Sequence, residues 1–524
     1  MLAKVTSGAV IGIDGYLVEV EVDLAQGIPG FDIVGLPDSA VKESRERVRT
    51  AVRNADYPFP VKRITVNLAP ADIRKSGPAF DLPIAAGILI GTRVLSPKAL
   101  QGTFITGELS LDGMVRPVSG VLPMVLAARN GGLHTCFVPS QNAEEAALVE
   151  GVEIYPISHI SQLVKHFEGE KISPVDVNVK DIFHENAAKH SLDFADVKGQ
   201  KILKRAMEVA AAGYHNMLMV GPPGTGKTML ATRIPTIMPD LDFDECVEIT
   251  KIYSIAGLLD GFGASNGQML PSAGVDGKIR LVTNRPFRAP HHMASKGSIV
   301  GGGNSPKPGE ISLAHNGVLF LDELTEFQKT TLETLRQPLE EGKVTIARTG
   351  GVITYPSTFL MLASMNPCPC GYYGTDRCRC SPHEVTRYLS KISSPLLDRL
   401  DIQCEAAAVE YKDLNHERAE TSAEIKKRVM LARQLQRERF ANDGISVNAH
   451  MPAVLVDKYC PLGKKEEEMV RMVFDSMGLS MRAYHKILKI SRTIADLEGA
   501  DNISEMHIAE AISYRELDRK YWHG

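Results

Sequence analysis

The chain of 524 residues has no long apolar run, few cysteines and no large excess of charge of either sign. No stretch approaches the ~18 apolar residues of a membrane span, so we expect no membrane contact. Eight cysteines in so long a chain argue against a disulfide scaffold. The formal net charge of −4 excludes a global basic field, so any nucleic-acid contact must come from a local patch or pore. The first residues lack the basic cluster and apolar core of a signal peptide, and we expect a cytoplasmic protein.

Residues 217–228 read Met-Leu-Met-Val-Gly-Pro-Pro-Gly-Thr-Gly-Lys-Thr, an apolar run followed by a glycine-rich turn and a helical pattern. Glycines let backbone N–H groups turn inward around a phosphate, and the following helix points its positive end at the same phosphate. The alternative, a chance glycine turn, leaves the preceding strand unexplained. The stretch therefore predicts a P-loop that binds ATP and Mg²⁺, with Lys227 on the outer phosphates and Thr228 on magnesium. The predicted loop comprises Gly221, Pro222, Pro223, Gly224, Thr225, Gly226, Lys227 and Thr228.

Further candidate catalytic residues follow two later apolar strands. Residues 317–324, Gly-Val-Leu-Phe-Leu-Asp-Glu-Leu, predict a strand that ends in two acids. We expect Asp322 to hold the magnesium shell and Glu323 to orient and deprotonate the attacking water. The next buried strand ends at Asn366, whose amide is expected to position the same water. Acidic strand ends are common, but this pair stands downstream of a P-loop and indicates ATP hydrolysis.

Other segments resemble AAA+ ATPases. Residues 193–200, Asp-Phe-Ala-Asp-Val-Lys-Gly-Gln, resemble the segment that opens the nucleotide pocket, and residues 395–401, Pro-Leu-Leu-Asp-Arg-Leu-Asp, resemble the segment that carries an arginine finger. The resemblance implies that Arg399 neutralises charge on the γ-phosphate of a neighbouring subunit. Arg482, at a helix start in a C-terminal helical lid, matches a position whose guanidinium touches the γ-phosphate. The alternative for either residue is an ordinary surface arginine. A finger supplied from outside implies a closed ring, such as a homohexamer.

Two features distinguish this motor from a generic one. Residues 285–316 closely resemble the magnesium-chelatase-like branch of AAA+ proteins. Their paired histidines, 291 and 292, suggest a metal, but adjacent side chains project differently, and we favour a structural or pore-loop role. Residues 342–354 predict a hairpin that resembles the pore hairpin of replicative MCM helicases. Lys343 and Arg348 on this hairpin are the candidate contacts to a DNA backbone.

Four cysteines form two Cys-x-Cys pairs. In an extended segment, residues i and i+2 face the same side, so each pair can chelate one ion. The intervening residues include two glycines that allow the segment to fold back, and four thiolates suit structural zinc. Free or redox-active thiols are the alternative, and His383 is a possible substitute ligand. The predicted zinc ligands are Cys368, Cys370, Cys378 and Cys380.

The first 170 residues mix predicted strands and helices in an α+β pattern. Two stretches resemble the proteolytic domain of Lon-type proteases. Ala79 in Gly-Pro-Ala stands where that family has its nucleophilic serine, and the position of the catalytic lysine falls on Met124. A Ser/Lys dyad needs a hydroxyl and an amine, and these two residues supply neither. We therefore expect a Lon-protease-like domain without peptidase activity.

Over essentially its whole length the chain resembles the YifB/ComM family of magnesium-chelatase-like AAA+ ATPases. The resemblance rests on residues 31–49, the run 288–323 and residues 366–371 (Asn-Pro-Cys-Pro-Cys-Gly). It implies a hexameric DNA helicase that drives branch migration, as ComM-related members do during natural transformation, acting on single-stranded or branched DNA. A chelatase-type motor and a protein-remodelling ATPase are the alternatives.

The predicted fold is α/β, an AAA+ P-loop core with a helical lid behind an α+β Lon-like domain. The predicted domain limits are 1–170 for the N-terminal domain, 171–192 for a linker, 193–415 for the AAA+ core and 416–524 for the lid.

Overall fold

Alternating apolar residues near the N-terminus form the centre of a first sheet. The computed structural model describes residues 1–175, 192–259, 281–303, 306–348, 351–407, 419–477 and 479–522. The sheet has seven strands in the order β3-β4-β2-β1-β5-β8-β9. In chain order the strands are β1 (Leu2–Ile11), β2 (Asp14–Ala25), β3 (Gly30–Val34), β4 (Arg63–Ala69), β5 (Thr103–Ile105), the separate pair β6 (Glu108–Leu109) and β7 (Val115–Arg116), β8 (Thr135–Pro139) and β9 (Glu153–Ile157).

The first hairpin turns just before Asp14-Gly15, the dipeptide in this stretch that is typical of a hairpin turn. Ile11 pairs with Asp14, so Asp14 and Gly15 belong to β2 and the turn consists of Gly12 and Ile13. Gly12 has a φ of 62°, which a glycine adopts without strain. The antiparallel β1–β2 pair and the parallel β5–β8–β9 ladder give a mixed sheet.

Helices pack on this sheet as their apolar patterns require. The first begins after Asp38, whose carboxylate caps the N–H of Val41 at 2.8 Å. The second is buried on all sides, which suits its uniformly apolar sequence. The helices of this region are Ser39–Asn54, Asp81–Gly91, Val121–Asn130, Ala143–Ala146 and Ile160–Glu168.

A second, parallel sheet follows, with the order β11-β14-β17-β10-β18. β10 lies between β17 and β18, and every residue of β10, β14 and β17 is buried. Uninterrupted apolar strands are typical of parallel sheets covered on both faces. Because the carboxyl ends of parallel strands meet at one edge, the loops after these three strands converge there. The strands are β10 (Met217–Val220), β11 (Phe287–Arg288), the separate pair β12 (Gly301–Gly302) and β13 (Lys307–Pro308), β14 (Val318–Leu321), the hairpin β15 (Lys343–Arg348) and β16 (Gly351–Pro356), β17 (Leu360–Met365) and β18 (Ile402–Glu405).

Helices surround the second sheet and form the C-terminal part of the chain. Around the sheet they are Lys201–Gly213, Lys227–Ala231, Phe243–Ala256, Lys296–Val300, Glu310–Leu313, Lys329–Glu333, Arg336–Glu341, Pro382–Leu389 and Ser394–Leu397. The C-terminal helices are Ser422–Arg439, Ala453–Tyr459, Lys464–Met477, Met481–Glu498 and Glu505–Ser513, followed by a π-helical turn at Asp518–Trp522. The Met481–Glu498 helix begins at an N-cap, Ser480, that accepts the N–H of Ala483.

The two sheet regions share an apolar cluster. It joins the helix Val121–Asn130 to the helix Phe243–Ala256 and includes Met124 and Ile249. The N–H of Gly120 donates to the carbonyl of Ser254 at 3.2 Å. The region of the first sheet is thus packed directly on the region of the second.

The predicted domain limits remain predictions. Most of the predicted linker, residues 176–191, and the junction of the predicted core and lid, residues 408–418, lie outside the described part of the chain. Within the described residues, no helix is both long enough and apolar enough to cross a membrane.

Candidate nucleotide site, cysteine cluster and hairpin

The predicted P-loop leaves the carboxyl end of the central strand β10. Gly224 and Gly226 have φ values of 78° and 81°, so the loop uses its glycines where a side chain would be strained. Gly221 lies against β18, where an added Cβ would stand 2.5 Å from the carbonyl oxygen of Ala406. Lys227 then opens a helix. The strand, glycine turn and helix expected from the sequence are all present.

Lys227 is turned into the loop. Its Nζ donates to the carbonyls of Gly221 at 2.7 Å and Pro222 at 2.8 Å, and the residue is only 8% exposed. Burial lowers the pKa of Lys227, while the carboxylates of Asp322 and Glu323 act in the opposite direction. The ammonium is therefore held where a phosphate can replace the loop carbonyls as its partner.

Asp322 and Thr228 stand side by side. The Thr228 hydroxyl donates to Oδ2 of Asp322 at 2.7 Å. The other carboxylate oxygen accepts the Ser364 hydroxyl and, at 3.1 Å, the N–H of Glu323. A hydroxyl and a carboxylate at one point are the hard oxygen donors that Mg²⁺ prefers, so these residues fit the predicted magnesium position.

Glu323 projects from a strained backbone position beside Asn366. Its φ and ψ of 52° and 50° are left-handed, and its side chain is 57% exposed. Glu323 and Asn366 line one cavity together with Glu326, Tyr388 and Lys391. The structure therefore brings together the predicted base and the predicted water-positioning amide at the carboxyl edge of the sheet.

Two further residues lie near these carboxylates: His292, of the paired histidines, and Ser364, which the sequence did not single out. Nδ1 of His292 lies 3.6 Å from Oε2 of Glu323. The ring of the neighbouring His291 is tilted against it, with ring centroids 4.1 Å apart. Ser364 lies on β17 two residues before Asn366, which directly follows the strand, and strand periodicity was the signal that could have placed both on one face.

The segment expected to open the pocket contacts the P-loop. Gln200 adopts a φ of 54° and donates through Nε2 to the carbonyls of Thr225 at 3.1 Å and Ala407 at 2.6 Å. Gln200 thus joins the P-loop to the end of β18.

Arg399 lies at the amino end of the parallel strands, whereas the P-loop lies at their carboxyl end. It precedes β18, whose first residue, Ile402, pairs with Met217 at the start of β10, whereas the P-loop follows the end of β10. The guanidinium is 10% exposed, donates to the Pro395 carbonyl at 3.0 Å and pairs with Glu340.

Arg482 lies near Arg399. Burial first, and then the charges of Arg482 and Arg336, lower the pKa of Arg399. The two predicted γ-phosphate arginines are therefore grouped with each other and not with the P-loop of their own chain.

The four predicted zinc ligands form one cluster. Their ligand atoms all lie within 4.8 Å of one another. The sulfurs of Cys368 and Cys370 are 3.3 Å apart, and that of Cys378 lies 3.9 Å and 3.7 Å from them. Sulfurs bound tetrahedrally to one zinc ion are about 3.8 Å apart, so the donor set fits zinc. Backbone N–H groups of Arg379 and Tyr372 lower the pKa of the Cys370 thiol to about 6, which favours the thiolate.

The cysteine cluster borders the P-loop. Gly371, inside the cluster, has a φ of 84°, and a Cβ there would stand 2.7 Å from Cδ of Pro223. Cys368 is itself fully buried two residues after Asn366. The cluster thus touches both the phosphate-binding loop and the segment that carries the predicted water-positioning amide.

The predicted hairpin is present as β15 and β16. Lys343 is exposed and pairs with Pro356, which places it at the base of the hairpin. Arg348 ends β15 beside the tip, but its side chain and the turn residues 349–350 lie outside the described residues. The five residue steps from Lys343 to Arg348 place their Cα atoms about 17 Å apart along the strand. A Cβ on Gly12 would stand 3.0 Å from the Thr354 carbonyl oxygen, so the hairpin contacts the first turn of the N-terminal domain.

The position expected for a Lon-type nucleophile is apolar and buried. Ala79 and Met124 belong to the same apolar cluster, at 8% and 2% exposure. The carbonyl of Ala79 accepts the Thr106 hydroxyl at 3.2 Å and the N–H of Gly107 at 3.0 Å. Absence of peptidase activity stays a prediction.

Comparison with known proteins agrees with this architecture. The family model described as "Magnesium chelatase, subunit ChlI" matches residues 193–414. Those described as "Subunit ChlI of Mg-chelatase" and "Magnesium chelatase, subunit ChlI C-terminal" match residues 20–142 and 419–515. Competence protein ComM of Haemophilus influenzae is 42% identical over 523 residues, 99% of this chain and 98% of that protein. The chain belongs to the YifB/ComM family.

Other relatives bear on both halves of the chain. The YifB protein of Salmonella typhimurium is 40% identical over 524 residues, 100% of this chain and 98% of that protein. A Lon protease of Mycolicibacterium smegmatis is 26% identical over 174 residues, 30% of this chain and 22% of the protease. The YifB/ComM chain is thus a magnesium-chelatase-like AAA+ protein whose helical lid and P-loop core follow an α+β, Lon-protease-like domain, as the sequence predicted.

Proposed function

We propose that this YifB/ComM protein is a ring-forming ATPase that couples ATP hydrolysis to movement on branched or single-stranded DNA, as a branch-migration helicase. The observation that carries the proposal is the separation of the catalytic groups. The P-loop lies at the carboxyl end of the parallel strands of the second sheet and Arg399 at their amino end, so a complete site needs two protomers.

Within one protomer, each residue at the P-loop edge has a distinct task. Lys227 and the loop N–H groups bind the phosphates of ATP. Thr228 and Asp322 hold magnesium, which neutralises charge on the phosphate oxygens. Glu323 accepts the proton of the attacking water while Asn366 orients that water. Their common position at the carboxyl edge of β10, β14 and β17 supports this assignment.

The neighbouring protomer supplies Arg399 and Arg482. A guanidinium that approaches the γ-phosphate stabilises the charge of the transition state. A head-to-tail contact of this kind closes into a ring when its rotation permits, and we propose a hexamer. The grouping of the two arginines at the edge far from their own P-loop supports their use across the interface.

DNA is proposed as the track because of the hairpin β15–β16. In a ring, one copy per protomer multiplies the charges of Lys343 and Arg348 around a single channel, so a chain of net charge −4 can still grip a polyanion. Phosphate contacts carry no base code, so binding should be independent of sequence. A relative named a competence protein supports this choice of partner.

A chelatase-type motor that serves metal insertion is the second candidate, because all three matching family models are named for magnesium chelatase. It shares the ATP site but needs no nucleic acid. A protein-remodelling ATPase makes the same negative prediction for DNA.

The experiment that separates these functions is the steady-state ATPase rate with no DNA and with single-stranded, duplex and four-way DNA. We expect stimulation that is largest with branched or single-stranded DNA and that falls as salt is raised. Robust basal hydrolysis without stimulation or binding by any DNA would contradict the DNA proposal and favour the chelatase-type or remodelling function. Absence of hydrolysis in all conditions would contradict the ATPase assignment itself.

A further inference from the structure

The backbone that carries Arg399 is held by side chains from distant parts of the chain. The segment 398–400 precedes β18, and its three carbonyls accept side-chain hydrogen bonds. Arg399 O accepts Nδ2 of Asn216 at 3.1 Å. Leu400 O accepts a guanidinium N–H of Arg515 at 2.9 Å and Nζ of Lys486 at 3.2 Å, and Asp398 O accepts Nζ of Lys486.

All three N–H donors of the Lys486 ammonium have partners in this segment or directly after it. Two contact the carbonyls on either side of Arg399, and Oδ1 of Asp401 lies 3.1 Å from the same nitrogen. The Lys486 side chain is 14% exposed, so few solvent contacts compete with these partners.

Lys486 and Arg482 belong to the same helix, Met481–Glu498, four residues apart. Side chains at this spacing lie on one face of a helix, one turn from each other. The helix face that presents Arg482 is therefore the face that Lys486 attaches to the segment of Arg399.

The contacts made by Lys486 oppose the electrostatic repulsion between Arg399 and Arg482. Arg399 and Arg482 are close enough for the charge of one to disfavour the charge of the other. Lys486 adds a further cation, but it is paired with Asp401, which His215 also contacts at 3.5 Å through Nδ1. The Asp401 carboxylate thus compensates the ammonium, and the three hydrogen-bond acceptors hold the helix against the segment.

We propose that Lys486 is a positioning residue for ATP hydrolysis, which fixes Arg399 and Arg482 of one protomer as a single unit for the neighbouring active site. The inference rests on the proposed function, because it requires both arginines to act across the protomer interface. Lys486 itself touches no nucleotide in this role.

The first test is the variant Lys486→Met, which keeps side-chain length and removes the donors. We expect unchanged ATP binding and an ATPase turnover that falls about ten- to a hundredfold, because a displaced catalytic group costs rate without affecting the P-loop. The matched control is Lys489→Met on the same helix. Lys489 donates to the carbonyl of Ala449 at 3.0 Å, and we expect wild-type turnover from this variant. Equal losses in both variants, or a loss of ATP affinity that accounts for the rate, would overturn the positioning role.

The second test mixes subunits. A Lys227→Ala subunit cannot use its own P-loop but presents intact arginines, so it should restore activity to Lys486→Met subunits. A general folding defect would not be rescued in this way. The reference is the mixture of Arg399→Ala with Lys227→Ala. Failure of the reference mixture would defeat the shared site of the proposed function. Rescue in the reference mixture but not with Lys486→Met would defeat only the inference about Lys486.

A third measurement addresses folding. Removal of Lys486 leaves the partly buried Asp401 carboxylate without the ammonium beside it, which destabilises the folded protein; the variant Lys486→Met/Asp401→Asn removes both charges. We expect it to fold, to bind ATP and to show the same loss of turnover. Wild-type turnover in this variant would overturn the proposal, as would an additional loss when Lys486→Met is added to Arg399→Ala.

Discussion

Glu323, which we propose as the general base, occupies an unusual backbone position at the end of β14. Its left-handed backbone is unfavourable for a residue with a Cβ by roughly 1–2 kcal/mol, and such positions persist where the surrounding structure determines them. The conformation directs an exposed carboxylate into the cavity that Asn366 lines, and Nδ1 of His292 lies 3.6 Å from one oxygen of that carboxylate. The backbone at the end of β14 therefore separates Glu323 from Asp322, which faces Thr228.

The variant Glu323→Gln should bind ATP and hydrolyse it about 10²–10⁴-fold more slowly, because the amide keeps the shape but cannot accept the proton of water. Single-turnover hydrolysis and nucleotide binding measured on the same preparation check this. Glu326→Gln is the matched control, since Glu326 lines the same cavity but pairs with Lys391 at 3.5 Å. A single-turnover rate near wild type for Glu323→Gln would assign the base to another residue.

At the scale of an element, the cysteine cluster lies in a segment without regular secondary structure. Residues 368–381, between β17 and the helix Pro382–Leu389, form neither helix nor strand. Four converging thiols and the contact of Gly371 with Pro223 then determine where this segment lies. A bound metal would hold the four thiols together and would keep Gly371 in contact with Pro223.

We expect one zinc ion per chain, held by Cys368, Cys370, Cys378 and Cys380, in protein purified without added metal. The variant Cys370→Ser should lose it, because three thiolates bind zinc less tightly than four. Cys460→Ala is the control, since that buried thiol lies in the apolar cluster of the lid. Elemental analysis decides the matter. Protein with almost no zinc and four freely titratable thiols would contradict the site.

The hairpin β15–β16 places its two candidate DNA contacts unequally. Lys343 is at the base and Arg348 ends β15 beside the tip, so in the proposed ring we expect the position of Arg348 to lie nearer the centre of the channel. We expect Arg348→Ala to weaken DNA binding more than Lys343→Ala, and the double variant to lose DNA-stimulated ATPase while keeping basal hydrolysis.

The measurement for the hairpin is DNA affinity as a function of salt. Each lost phosphate contact should reduce the slope of log K against log salt by about 0.7–0.9. The exposed Lys98 of the N-terminal domain provides a control variant, Lys98→Ala, with an unchanged slope. A double hairpin variant with wild-type affinity and slope would exclude the hairpin as a DNA contact.

At the scale of the whole molecule, the parallel order of β10 and β18 separates the phosphate-binding loop from the arginines. The N-terminal domain is packed on the core through Met124 and Ile249 and also meets the hairpin at Gly12. In the proposed ring, each protomer is therefore a firmly packed body with one partial site at either edge of its second sheet.

A mixture of Arg399→Ala with Lys227→Ala subunits should hydrolyse ATP, although each variant alone should not. The Lys227→Ala subunit then presents Arg399 to an intact P-loop on its neighbour. The rate at several mixing ratios, with the oligomeric state measured in parallel, provides the check. Inactivity at every ratio, in mixtures shown to form mixed rings, would contradict a shared site.

Local patterns were sufficient for much of this architecture. The strand and glycine turn at 217–228, the acids after β14 and the cysteine pairs could be predicted because each depends on neighbouring residues. Contacts between distant residues had no such signal. Lys486 meets the carbonyl of Asp398 across 88 positions, and nothing near Lys486 in the chain indicates that partner. The helices Ala453–Tyr459 and Lys464–Met477 were likewise not predicted.

Strand β10 has a consequence for how neighbouring ATP sites communicate. At its amino end, Asn216 binds the backbone of the residues that precede β18, and at its carboxyl end Val220 leads into the P-loop. Four residues of extended chain span about 13 Å. In the proposed ring, one such strand joins the site that a protomer fills with ATP to the site that it completes for its neighbour. A shift of the phosphate-binding loop would then be transmitted to the next site through strand β10, which is short and hydrogen-bonded on both sides. We therefore expect neighbouring subunits to hydrolyse ATP one after another around the ring.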